Sequence, residues 1–198
     1  TNALTELLKM PTTGITRQQV RDRLSSHNAS GIQVLASSSN PRDGLLITNT
    51  QQFDVILSRL TTMTRYLIID LGNGITPLVE KLGTHFDEVL VIVEPFENSL
   101  QHSRALLDDL MGIGIEKNRL HVIINYRLRS ESQFSVPQVQ ERLKYPIEVT
   151  FTPAPELFLQ ATRLQTPAVL VQQESLIGQQ FFTLASKIET RTPRPAPK

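Results

Sequence analysis

Three short apolar runs dominate the middle of this chain: Leu67-Ile-Ile69, then Val89-Leu-Val-Ile-Val93, then the Leu120-His-Val-Ile-Ile124 stretch. Each is far below the ~20 residues that span a bilayer. Runs of this length bounded by turn residues read as strands buried on both faces, the pattern of a parallel sheet covered by helices. Amphipathic helical patterns separate them, and strands alternating with helices at this pace mean βαβ units. The expected architecture is therefore α/β, a doubly wound, mainly parallel sheet flanked by helices. With 198 residues, 39% of them hydrophobic, the chain can bury one good core of ordinary domain size. No internal repeat is visible.

Taken in order, Leu4, Leu7 and Leu8 share a helical face that stops before Pro11, and Thr16 is placed to cap a helix through Leu24. A turn cluster over residues 26–31 leads into an expected strand, Gly31–Ala36, and an exposed loop over 37–44 follows. Thr48 or Thr50 then caps a helix whose Phe53, Ile56, Leu57 and Leu60 keep a 3–4 spacing. Pro77 to Leu82 makes a short helix. Glu88–Val93 is a strand ended by Glu94-Pro95, since proline cannot continue a ladder. Further helices are expected over Ser99–Leu110, from Ser135 and Pro137 through Leu143, from Pro155 to Ala161 and over Leu176–Ile188. Arg119–Ile124 and Tyr145–Phe151 are the remaining strands. Thr190–Lys198, with three prolines and three basic residues, reads as a disordered tail.

Asp70 closes the first run and precedes a glycine-rich turn, Leu71-Gly-Asn-Gly-Ile-Thr-Pro77. Open α/β sheets place their ligands at the carboxyl ends of strands, and a carboxylate there commonly holds Mg²⁺ or its water. An aspartate that only satisfies backbone donors in a turn explains the residue equally well. The decisive partner would be a phosphate loop, yet the sequence has no G-x-x-x-x-G-K-[ST] and no glycine followed by lysine. Gly72 and Gly74 lie after the aspartate and cannot serve as that loop. Twenty basic and nineteen acidic residues nearly cancel, so no global field points to nucleic acid or a membrane surface. The absence of cysteine excludes disulfides and thiolate chemistry.

Asp70-Leu-Gly-Asn-Gly-Ile-Thr-Pro77, Val89-Leu-Val-Ile-Val-Glu-Pro95 and Ser99-Leu-Gln-His-Ser-Arg-Ala-Leu-Leu107 together resemble the middle of a ParA/MinD-type P-loop ATPase. Within that superfamily they are most similar to the pilus assembly branch, the TadZ/CpaE type. Val122-Ile-Ile-Asn125 matches the strand-end asparagine of that group, and Pro155–Ala161, Thr166-Pro167 and the last helix match its closing segment. The resemblance covers roughly Leu4 to Ile188 and marks residues 1–189 as a partial ATPase domain. Missing are the family's first strand, phosphate loop, following helix and second strand. The chain opens at Thr1, in mid-pattern and without methionine, which suggests a piece of a longer protein.

The resemblance implies roles for three residues. Asp70 is the switch aspartate that holds the Mg²⁺ water, Gly74 turns its N–H to the γ-phosphate, and Asn125 reads the adenine edge. Without the resemblance, Gly74 is as well explained as a turn glycine, and Asn125 as a cap on the following loop. After its last strand the family carries proline-x-aspartate near the adenine. Here the run is Thr152-Pro-Ala-Pro155, and Ala154 cannot supply the acid. ATP and Mg²⁺ are thus implied as cofactors of the full-length parent, with neither held tightly by this chain, which alone should not hydrolyse ATP. Whether the parent is a weak ATPase is left open.

The implied function is a cytoplasmic factor that localises the pilus secretion machinery and dimerises, with Asp70 and Gly74 coupling nucleotide state to the helix beginning near Pro77. Recruitment to the inner membrane or cell pole through partner proteins is open to such a factor. One alternative is a non-catalytic interaction module that kept its sheet and lost nucleotide chemistry. Another is a ParA/MinD ATPase for chromosome partition or division-site placement, although no basic DNA-binding face or membrane-targeting helix is visible. His27, His85, His102 and His121 are scattered without metal spacing and read as structural or surface residues. Asp108-Asp109 reads as a solvated helix face, and Arg127 and Arg129 as solvated loop residues. A receiver domain also puts an aspartate at a strand end, but the lysine it needs after a later strand is absent.

Overall fold

The structure, a computed structural model, describes residues 2–127, 130 and 132–192. Arg129 and most of the expected tail, residues 193–198, lie outside the described residues. The chain divides into two compact units, Thr1–Gly83 and Thr84–Pro193.

The first unit is built on short helices: α1 (Ala3–Leu8), α2 (Arg17–Arg21), then α3 (Thr50–Thr61) and α4 (Pro77–Leu82) after a two-stranded ribbon. Leu7, Leu8, Ile15, Val20, Ile56 and Leu60 form its core. Thr16 caps α2 as expected, its hydroxyl accepting the Gln19 N–H at 3.2 Å, an interaction of about 1 kcal/mol. Asn49, not Thr48 or Thr50, holds the cap position of α3; its side chain is spent donating to the Leu8 carbonyl at 3.0 Å.

Two expected strands are corrected here. Gly31–Ala36 shrinks to β2 (Gln33–Val34), paired antiparallel with β1 (Ser25–Ser26) and exposed. Ile32 and Val34 are both about half exposed, so the ribbon has little apolar burial to lengthen it. The Leu67–Ile69 run forms no ladder at all among the described residues. Exposure alternates along it: Leu67 packs on the helical core, while Ile68 is 91% exposed. A period of two means one covered face, and among the described residues no strand of this unit pairs with the run.

The second unit carries the expected parallel sheet. Strands β3 (Val89–Val93), β4 (Leu120–Asn125) and β5 (Ile147–Phe151) lie side by side in that order. They alternate with α5 (Glu97–Gly112) and α6 (Val136–Leu143), and α7 (Pro155–Leu164), α8 (Ala168–Val171) and α9 (Leu176–Arg191) follow. Because side chains alternate across a strand, the sheet has two apolar faces. Ile123, Val149 and Phe151 join Leu157 of α7 and Ile177 and Leu184 of α9 in one cluster. Val91, Val93, Val122 and Ile124 point the other way and are equally buried, and α5 packs against β3. Helices thus pack on both faces, except that Ile92 of β3, on the Ile123 face, is 63% exposed. A capping box starts α6, with the Ser135 N–H donating to the Gln138 side chain at 2.9 Å. The helix expected to end at Ile188 continues to Arg191, so Thr190 and Arg191 are helical. One irregularity breaks the sheet register. Val122 pairs with Ile147 but Ile123 pairs with Val149, leaving Glu148 as the extra residue of a bulge.

Candidate functional site

In the first unit, Asp70 and the glycines after it form a tight exposed turn. The Gly72 N–H donates to Asp70 Oδ1 at 3.0 Å, the local bond that makes aspartate a turn former. Gly72 and Gly74 have φ of +71° and +74°, a region that costs a side chain about 1–2 kcal/mol. Nothing lies within 4 Å of where their Cβ atoms would be, so backbone conformation, not crowding, demands glycine here. Thr76 then caps α4 by accepting the Val79 N–H at 3.3 Å, with Pro77 in the first turn. One Asp70 oxygen is engaged in the turn and the other has no protein partner among the described residues. The turn and the metal-holding roles therefore use different oxygens and are compatible.

In the second unit, the carboxyl ends of the three strands carry Glu94, Asn125 and Thr152. Glu94 is occupied: its N–H donates to Ser99 Oγ at 3.2 Å and its carboxylate pairs with Arg127 at 3.1 Å. Past Asn125 the chain stays tied to the sheet, since the Tyr126 N–H donates to the Phe151 carbonyl at 2.9 Å. The Tyr126 hydroxyl donates to the Phe134 carbonyl at 3.0 Å, and burial raises its pKa above the usual phenol value. Phe134 is held in turn by its N–H on the Pro95 carbonyl and by the Arg142 guanidinium 3.8 Å above its ring. The loop is thus anchored at both ends while the Asn125 side-chain amide makes no hydrogen bond among the described residues. An amide carries both donors and acceptors, and this one is left open.

Beyond β5 lies a cavity of about 240 Å³ lined by Thr152, Pro153, Ala154, Leu157, Leu176 and Ile177, among others. The Gln180 side chain fixes its rim, accepting from the Thr152 N–H at 3.0 Å and from its hydroxyl at 3.3 Å. Small-molecule clefts usually begin near about 300 Å³, so this one is small for a whole nucleotide. Asn125 pairs with Phe151, the residue before Thr152, which sets the open amide one strand from the cavity. The sequence singled out Asn125 and the Thr152–Pro155 run, but not Gln180 or the contribution of Leu176 and Ile177. Those come from the fold-back of α9, for which a local pattern has no signal.

No family model matches the chain, and no curated protein matches it. Solved structures do. A ParA family ATPase from Chlorobium tepidum TLS aligns over 95% of this chain and 76% of its own, with a TM-score of 0.80 and 14% identity. The septum site-determining protein MinD from Pyrococcus horikoshii OT3, complexed with Mg-ADP, aligns over 95% of this chain and 79% of its own (TM-score 0.70, 17% identity). The MinC:MinD cell division protein complex of Aquifex aeolicus aligns over 90% and 71% (TM-score 0.69, 15% identity). At such identities the likeness is one of backbone and not of chemistry. This chain has the P-loop NTPase-like α/β fold of the ParA and MinD ATPases.

Proposed function

We propose that this chain is part of a ParA/MinD-like ATPase domain in a Tad-type pilus assembly and localisation protein, where it works as a nucleotide-dependent dimer switch. The shared fold supports the superfamily. The branch rests on the sequence motifs alone, from Asp70–Pro77 through Val122–Asn125. The nucleotide reading is carried by one observation: at the strand ends, where parallel sheets take ligands, the Asn125 amide makes no hydrogen bond among the described residues, one strand over from the Thr152–Ala154 side of a small cavity. In this reading Asn125 meets the base, Asp70 holds a Mg²⁺ water and Gly74 offers its N–H to the terminal phosphate. Closure of that loop shifts α4 and with it the dimer surface. Partner proteins of the secretion machinery then read the dimer, as MinC accompanies MinD in the Aquifex complex.

The residues present fit only part of a Mg–nucleotide site. Asp70 supplies one exposed carboxylate, no cluster of three metal-binding side chains occurs among the described residues, and no phosphate loop occurs in the sequence. Tight Mg–ATP binding then belongs to a full-length protein that supplies the loop. In that protein, calorimetry with Mg–ATP and sedimentation of the dimer should each respond to Asp70→Ala, with affinity falling at least about tenfold, or 1.4 kcal/mol. Unchanged affinity and unchanged dimerisation reduce Asp70 to a turn residue.

The non-catalytic interaction module is the second reading, favoured by the Asp70–Gly72 turn bond and by Ala154 in place of an acid. A full-length protein that binds no Mg–ATP selects it. No helix among the described residues is long and apolar enough to cross a membrane.

A further inference from the structure

At the amino end of the sheet, opposite the open amide, one charged cluster joins all three strands to the last helix. His121, the second residue of β4, sits between two carboxylates. Its Nε2 lies 3.6 Å from Glu88, just before β3, and its Nδ1 lies 3.5 Å from Glu148, the bulge residue of β5. The Nε2 contact is too long for a hydrogen bond, and Nε2 is buried with no partner among the described residues, while the Nδ1 contact with Glu148 is a long, weak one. The same two carboxylates are claimed by α9. Arg191 grips Glu88 through Nε and Nη2 at 3.0 and 2.8 Å and Glu148 through Nη1 at 2.8 Å. Lys187, one turn earlier, donates to the Glu148 carbonyl at 2.7 Å and lies 3.6 Å from its carboxylate. The side chains of Glu88, His121 and Glu148 are 11–15% exposed and that of Arg191 is 30% exposed.

Two cations therefore have claims on one pair of carboxylates. One is permanent, the guanidinium, and one is conditional, the imidazole. We propose that His121 and Arg191 compete for Glu88 and Glu148, so that acidification below neutral pH releases the C-terminal turn of α9 from the sheet.

The groups facing His121 set the sign. Burial disfavours its charged form first, the Arg191 charge adds to that, and Glu88 and Glu148 only partly oppose them, leaving the pKa below the usual histidine value. While Arg191 is docked the charged form of the ring is disfavoured. Undocking removes the repulsion, admits water and frees both carboxylates, all of which favour the imidazolium. Linkage is reciprocal, so a proton that prefers the undocked state must weaken docking. The bulge is the enabling feature: without the extra residue, regular alternation would not set Glu148 beside both His121 and Arg191.

Nuclear magnetic resonance on the 198-residue chain tests this through the His121 ring titration and the exchange protection of the residue 187–191 amides. Between about pH 7.5 and about pH 5, those protection factors should fall at least roughly threefold as the last turn opens. Protection in β4 should fall by less, since it follows only the global stability. Arg191→Gln should raise the His121 midpoint, and His121→Gln should abolish the pH dependence at the end of α9. Protection that ignores pH in the unaltered chain, or a His121 midpoint indifferent to Arg191→Gln, overturns the proposal. The first of these needs no variant, so a poorly folding substitution cannot shield it.

Discussion

The two ends of the three-stranded sheet are finished in opposite ways. At the amino end, Glu88, His121, Glu148, Lys187 and Arg191 close on one another, and α9 is clamped to Glu88 just before β3 and to Glu148 of β5, with His121 of β4 between the two carboxylates. At the carboxyl end, the loop backbone is anchored through Tyr126 and Phe134 while the Asn125 amide makes no hydrogen bond among the described residues, one strand over from the cavity beyond β5. Hydrogen-bonding capacity spent inside the protein contributes stability, and capacity left unspent at a strand end is available to a ligand. The contrast separates residues that hold this unit together from residues that await something else.

The largest effect that can break the contrast is at the clamp. Arg191→Gln leaves two carboxylates facing each other at low exposure, and should cost about 1–3 kcal/mol in denaturant unfolding of this unit. A loss near zero would make the amino end as dispensable as an ordinary surface. Gly74→Ala, in the other unit, should cost about 1 kcal/mol, because +74° is strained for any side chain although the space is open. A neutral result there would mean that the turn relaxes.

The pH dependence is a smaller effect with a defined sign. His121 has a folded pKa below its unfolded value, so the unfolded chain takes up the proton first. The stabilisation is complete above the unfolded histidine value, near about 6.5, and is lost as pH falls through that value toward the folded one. Glu148 adds in the same direction at lower pH. Burial would raise its pKa, but the Arg191 hydrogen bond and the Arg191, Lys187 and His121 charges lower it overall. Its contribution is present above the unfolded carboxylate value and disappears as pH falls through the folded one. Urea midpoints should thus decline with acid, and His121→Gln should flatten the upper part of the curve.

Most of this frame was legible because it is local. The Val89–Val93 and Leu120–Ile124 runs are strands, Thr16 caps α2, and Pro77 opens α4, each for a reason contained within a few residues. The Leu67–Ile69 run misled because apolarity alone cannot say whether a second face is covered, and here Ile68 is not. Asn125 was visible as a strand-end amide, but the anchoring of the loop after it was not, because Tyr126 bonds to Phe134 and to Phe151, the latter distant in sequence. His121 read as a bland residue because its partners at 88, 148 and 191 share no spacing with it. Only the parallel register and a bulge bring them together.

At the open end the expected stability change is the smallest. Asn125→Ala should alter unfolding by no more than about 0.5 kcal/mol, because no hydrogen bond among the described residues is lost. The same substitution is the most direct test of the ligand account. An isotope-labelled sample of the chain, titrated with an adenine nucleotide to millimolar concentration, should show shifts concentrated at Asn125, Thr152 and Ile177, and Asn125→Ala should erase them. Shifts that survive Asn125→Ala, or that fall elsewhere or nowhere, would contradict the claim that this end of the sheet receives a base.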